Sequence, residues 1–143
     1  MRVYLDTNIL AFLVGQGMSS SISNDVMGLV NDYETILLTS SVCAQELVHL
    51  VQIGKVRIAK IKDISIASET ALRRLDEMGV TVVSTTKIHL NSLANLPFYD
   101  DHRDPNDRMI VAQAISDRIP LVSSDRKFSR YECYGLDFIY NER

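Results

Sequence analysis

Four acids stand in this chain where apolar segments stop or pause. Asp6 closes the run RVYL, and Glu46 lies among Val42, Leu47 and Leu50. Asp107 falls in the first turn of a segment that begins at Pro105, and Asp125 follows PLVS by two residues. Carboxylates gathered within a few ångströms repel one another, and burial worsens the repulsion. Hard divalent cations such as Mg²⁺ or Mn²⁺ relieve both penalties. Two such ions roughly 4 Å apart activate water and steady the leaving oxygen of a phosphodiester. Singly, each acid also has an ordinary use: a helix cap at a helix start, a turn former after a strand. Glu46 fits that use least. A carboxylate on a helix expected to be substantially buried wants a partner or a metal.

Neighbouring polar residues suit supporting roles. Thr7 and Asn8 are expected to cap a short helix, and Ser123 to hydrogen-bond Asp6 or a water on the metal. Asp104 is the natural N-cap of the segment whose first residue is Pro105, where a missing N–H is harmless. Other chemistries find no support. There is no HExxH, no cysteine quartet, and the three histidines are not at ligand spacing, so zinc is disfavoured. No Ser-His-Asp or Cys-His arrangement emerges, and GQG at Gly15 to Gly17 reads as a turn. A phosphatase-type DxD is missing, because the second residue after Asp6 is Asn8.

The acids need a scaffold that gathers distant parts of the chain. Strands are expected at Arg2–Leu5, Thr35–Leu38, Val80–Val83, Pro120–Ser123 and Leu136–Tyr140. Helical patterns lie between them. Asn8 to Val14 is short; the next is capped by Ser19, Ser20 or Ser21 and presents Ile22, Val26, Leu29 and Val30. Further helices run from a Ser40 or Ser41 cap to Ile53, from Ser65 to Met78, from a Thr85 or Thr86 cap to Leu96, and onward from Pro105. Lys55 to Lys62 is left open as loop, short strand or helix start, and DRKFSRY as short helix or turn. Strands alternating with helices predict a mostly parallel α/β sheet covered on both faces. In such folds strand C-terminal ends and helix N-termini share one edge, where ligands bind. All four acids can converge there.

The 143 residues suffice for one domain with a core, and 46% of them are apolar. Cys43 and Cys133 are expected to be buried free thiols in a reducing compartment. No apolar stretch approaches the ~18 residues a membrane span needs, and a cytoplasmic location is expected. The formal charge of −3 argues against a nucleic-acid partner only if the acids are dispersed. If four of them share a pocket with cations, the rest of the surface carries a positive balance.

These residues resemble the PIN-domain family, in particular the VapC-like ribonuclease toxins of toxin–antitoxin pairs. YLDTNIL is similar to the family's opening motif and places its first acid at Asp6. SSVCAQEL resembles the segment bearing the second, Glu46. HRDPNDRMIVAQA resembles the third, with the metal-site acid at Asp107 and the cap at Asp104, and LVSSDRKFSRY the last, with Ser123 and Asp125. The resemblance spans Arg2 to Tyr140. It implies a single nuclease domain over residues 1–143 with a three-layer α/β/α architecture and a five-stranded, mainly parallel sheet in the order 3-2-1-4-5. It also implies a homodimer, a cognate antitoxin, and Mg²⁺- or Mn²⁺-dependent cleavage of RNA at Asp6, Glu46, Asp107 and Asp125. Two departures stand out: Asn106 where this subgroup usually carries Phe, and Cys43 with Gln45 in place of the common aromatic before the glutamate.

Substrate grip falls to Arg103, Arg108, Arg126, Lys127 and Arg130, which flank the acids in sequence, with Lys55, Arg57, Lys60 and Lys62 as an outer rim. Phe98, Tyr99, Phe128 and Tyr131 are stacking candidates, though core roles explain most of them. Two other function classes fit the same residues: an RNA-processing or structure-specific nuclease without an antitoxin, and a catalytically silent binding module.

Overall fold

The computed structural model describes residues 1–143. Its five strands are β1 (Arg2–Leu5), β2 (Ile36–Ser40), β3 (Thr81–Val83), β4 (Leu121–Ser123) and β5 (Phe138–Tyr140). They form one sheet in the order β3-β2-β1-β4-β5, and every pairing is parallel. The helices are α1 (Thr7–Val14), α2 (Asn24–Asn31), α3 (Ser41–Gln52), α4 (Ile64–Glu77), α5 (Lys87–Ala94) and α6 (Pro105–Asp117). Short 3₁₀ segments cover Ser19–Ser21 and Arg126–Tyr134. This is the three-layer α/β/α arrangement expected from the alternation of elements.

Successive residues of a strand point to opposite faces. Val3, Tyr4 and Leu5 are all buried, as are Leu121, Val122 and Ser123, so the central strands are covered on both sides. The edge strand β3 is largely exposed. Because β1 connects to β2 on one side and pairs with β4 on the other, strand order reverses between β1 and β4. The carboxyl ends at such a point form a crevice. Asp6 leaves β1 there, and Ser123 and Asp125 leave β4.

Several expected boundaries shift for physical reasons. Strand β2 continues to Ser40 because its polar residues are satisfied inside the protein: the Thr39 hydroxyl donates to Leu5 O at 2.8 Å, and Ser40 Oγ to Gln113 Oε1 at 2.8 Å. Helix α2 is capped by Ser23, which accepts from Val26 N, while Ser19–Ser21 form the preceding 3₁₀ turn. Helix α1 is capped by Asp6 itself, which makes Thr7 its first residue rather than its cap. Lys55 to Lys62 adopts no strand or helix. The cysteines also differ from expectation. Cys43 is buried, but Cys133 is exposed at the end of the last 3₁₀ segment. No helix is long and apolar enough to cross a membrane.

Candidate metal centre

The pairing of β1 with β4 places Leu5 beside Val122, and the next residues along, Asp6 and Ser123, touch. Ser123 Oγ donates to Asp6 Oδ2 at 2.7 Å, Asn8 Nδ2 donates to the same oxygen at 3.2 Å, and Thr7 N donates to Oδ1 at 2.8 Å. Asn8 also ties the crevice together, donating to Ser123 Oγ and accepting from Ser124 N. Thr7, Asn8 and Ser123 thus orient Asp6. Burial raises the Asp6 carboxyl to about 6, against the lowering effect of the Ser123 and Thr7 bonds, and the charges of Glu46 and Asp125 raise it further.

Asp104 caps α6, accepting from Asn106 N at 2.8 Å and Asp107 N at 3.4 Å. That cap fixes the first turn and turns Asp107 toward the crevice. Burial, then the charges of Asp6, Asp104, Glu46 and Asp125, push Asp107 up to about 8. Of the four expected acids, only Asp107 and Asp125 place carboxylate oxygens in one close cluster; Asp6 and Glu46 stand outside it, though their charges act on Asp107. Glu46 arrives from α3 and is half-buried, less deeply than its helix pattern suggested. Its Oε2 accepts from Asn106 Nδ2 at 3.0 Å, so the departure at position 106 becomes a direct hold on the second acid. Asp125 Oδ1 caps the last 3₁₀ segment through Lys127 N, at 2.9 Å.

One residue in the crevice escaped the sequence analysis. His102, in the polar loop before α6, is 4% exposed, and its Nε2 has no hydrogen-bond partner. That nitrogen lies 3.7 Å from Asp107 Oδ2 and 3.6 Å from Asp125 Oδ2. Donor atoms of His102, Asp107 and Asp125 all fall within 4.8 Å of one another. The ring is set by Tyr131, whose hydroxyl is 2.7 Å from Nδ1, and by edge contact with Phe128. Burial lowers the His102 pKa, more than the neighbouring Asp125 raises it. Sequence spacing held no ligand signal, because Asp107 and Asp125 approach His102 from different elements. The orphaned His102 nitrogen, and the Asp6 and Asp107 carboxyls displaced toward protonation, fit a divalent cation: it would satisfy the one and neutralise the others.

The basic candidates divide. Arg108 turns inward, with Nη2 donating to Leu96 O at 3.1 Å and Pro97 O at 3.3 Å and its guanidinium 4.9 Å from the Phe98 ring. It braces the loop before α6. Arg103 is exposed over Phe98, Arg126 bonds Tyr140 Oη, Lys127 bonds Asp101 O, and Arg130 pairs with Asp101. Among the stacking candidates Phe128 and Tyr131 are core residues, whereas Phe98 is exposed. His49 is exposed as well, and a cleft of about 620 Å³ runs past it along Glu46, Asp104 and Asn106.

Comparison with known proteins identifies the family and the fold. The PIN domain family matches residues 3–132, and the chain belongs to that family. In structure it is similar to a chain of VapBC2 from Rickettsia felis bound to a DNA fragment from their promoter. That likeness has a TM-score of 0.69 at 18% identity and covers 99% of this chain and 100% of the other. VapBC-1 from nontypeable Haemophilus influenzae follows at 0.65 and 17%, with 98% of each chain covered. DNA-bound VapBC from Salmonella typhimurium gives 0.62 and 17%, again with 98% of each. No curated protein matches the chain in sequence.

Proposed function

We propose that the chain is a metal-dependent endoribonuclease, the toxin of a toxin–antitoxin pair, that hydrolyses RNA phosphodiester bonds with metal-activated water. The observation that carries this reading is the buried, unpartnered His102 Nε2 between Asp107 and Asp125. Asp6, Glu46, Asp107 and Asp125, with His102, would hold Mg²⁺ or Mn²⁺. When bound, such an ion supplies Lewis-acid polarisation of the phosphodiester and activation of the attacking water.

The chain's own residues do the positioning. Ser123, Asn8 and the Thr7 amide hold Asp6, Asp104 fixes the turn that carries Asp107, and Asn106 holds Glu46. Arg103, Arg126, Lys127 and Arg130 are the phosphate contacts, and Phe98 is a surface on which an unstacked base can rest. The partner reading draws on the VapBC complexes of similar fold, one described as belonging to a family of toxin–antitoxin systems. A cleft of about 670 Å³ away from the acids, with an apolar floor that includes Val56, Ile58 and Ile61 and a rim that includes Arg57 and Lys60, suits an acidic amphipathic antitoxin segment. Residues 1–143 act as one nuclease domain, as a homodimer, in the cytoplasm.

The test is incubation of purified protein with a panel of structured RNAs and single-stranded DNA, in EDTA, Mg²⁺ or Mn²⁺, beside Asp6→Asn. RNA cuts that require metal and vanish in the variant are the expected result. No cuts, with calorimetry finding no metal bound, would leave a binding module.

A further inference from the structure

We propose that His102 is itself a ligand of the metal, through Nε2, and that this nitrogen makes the site favour a first-row transition ion such as Mn²⁺ over Mg²⁺. The inference rests on the metal-centre reading above and adds to it the kind of ion. Four oxygen ligands alone would suit Mg²⁺ well. An imidazole among them changes the preference, because Mg²⁺ takes oxygen and keeps its waters, whereas imidazole suits transition ions.

Geometry supports ligation over a core role. Nε2 lies 3.6 and 3.7 Å from the two carboxylate oxygens, beyond hydrogen-bond range. Donors sharing one ion through bonds of about 2.1 Å lie between about 3 and 4.2 Å apart, and both separations fall inside that span. A ring nitrogen buried without a partner is rare in a folded protein, and here it faces two acids. The opposite nitrogen is already engaged. Nδ1 and Tyr131 Oη lie 2.7 Å apart, and a metal on Nε2 requires the tautomer in which Nδ1–H donates to that hydroxyl, a bond this spacing accommodates. Phe128 and Tyr131 pack the ring at centroid distances of 5.2 and 5.4 Å, so its direction is set before an ion arrives.

The experiment is pulsed electron paramagnetic resonance on the full-length protein loaded with Mn²⁺, prepared with ordinary and with ¹⁵N-labelled histidine. A nitrogen coupling of directly bound strength that changes with the isotope is expected, and it should vanish in His102→Gln. Calorimetry on the same variant should show Mn²⁺ affinity down about tenfold or more, with Mg²⁺ affinity changed far less. If that variant fails to fold, the isotope comparison is made in His49→Gln, because His49 lies along the same cleft as Glu46, and a nitrogen coupling that persists there supports His102 while its loss there overturns the proposal. Mn²⁺ bound with no histidine coupling would overturn the proposal and leave the nuclease reading standing. Equal losses of Mn²⁺ and Mg²⁺ affinity in a folded variant would also overturn it. Neither ion binding the unaltered protein would overturn both.

Discussion

Replacing Asp107 with Asn should stabilise the metal-free protein at alkaline pH while removing its metal affinity. Burial and four neighbouring acids raise the Asp107 carboxyl from an ordinary 3.8 to about 8, so the native state holds its proton more tightly than the unfolded chain does. Stability is therefore fully present below about pH 3.8 and is lost as the pH climbs toward 8. At 1.36 kcal/mol per pH unit that displacement sets a ceiling of roughly 6 kcal/mol. The side chain is 29% exposed, and solvent screening reduces the expected effect to about 2 kcal/mol. Denaturant unfolding in EDTA should find the two proteins nearly equal at pH 4 and the Asn variant about 2 kcal/mol more stable at pH 8.5, or about 6 °C in Tm. Saturating Mn²⁺ should reverse the order, since an ion at 100 times its Kd stabilises only the protein that binds it, by about 2.7 kcal/mol. An Asn variant less stable by the same amount at both pH values would refute the reasoning. It would mean that the Asp107 carboxylate makes favourable contacts without any metal.

Three further outcomes follow from particular contacts. Asn106→Ala frees Glu46 from its 3.0 Å bond at an exposed position, so stability should move by less than about 0.5 kcal/mol while calorimetry shows metal affinity down several-fold. Tyr131→Phe leaves His102 Nδ1 buried without its partner and should lower unfolding free energy by about 1–3 kcal/mol, read by urea titration. In an Asp6→Asn background that binds RNA without cutting it, Arg126→Ala should reduce the salt slope of binding by about 0.7, measured by fluorescence anisotropy.

The sheet, and the meeting of Asp107 with Asp125, were legible because each left a local mark. Asp6 stands out as a charge at the end of an apolar strand, and Asp104-Pro105 as a helix start. The alternation of strands and helices then dictated a parallel sheet whose carboxyl edge collects the acids. What escaped was decided by tertiary contact. His102 sits in a loop with no spacing signal, and it enters the crevice because Tyr131 and Phe128 pack its ring from a segment more than twenty residues later. Ser40 looked like a helix cap alone, yet it also ends β2, because buried Gln113 satisfies its hydroxyl. Cys133 looked like a buried thiol, but it lies exposed on the 3₁₀ segment. Arg108 looked like a phosphate contact, and two loop carbonyls hold its guanidinium.

The chemistry of the cut ends tests the central claim most directly. Water attacking phosphorus with departure of the 3′ oxygen leaves a 3′-hydroxyl and a 5′-phosphate. Attack by the neighbouring 2′-hydroxyl needs no metal and leaves a 2′,3′-cyclic phosphate. End analysis of an RNA cut by the purified protein should find 5′-phosphate and 3′-hydroxyl termini, made in Mn²⁺ or Mg²⁺ and absent in EDTA or with Asp6→Asn. Cyclic phosphate ends, or cutting that survives EDTA, would contradict the account.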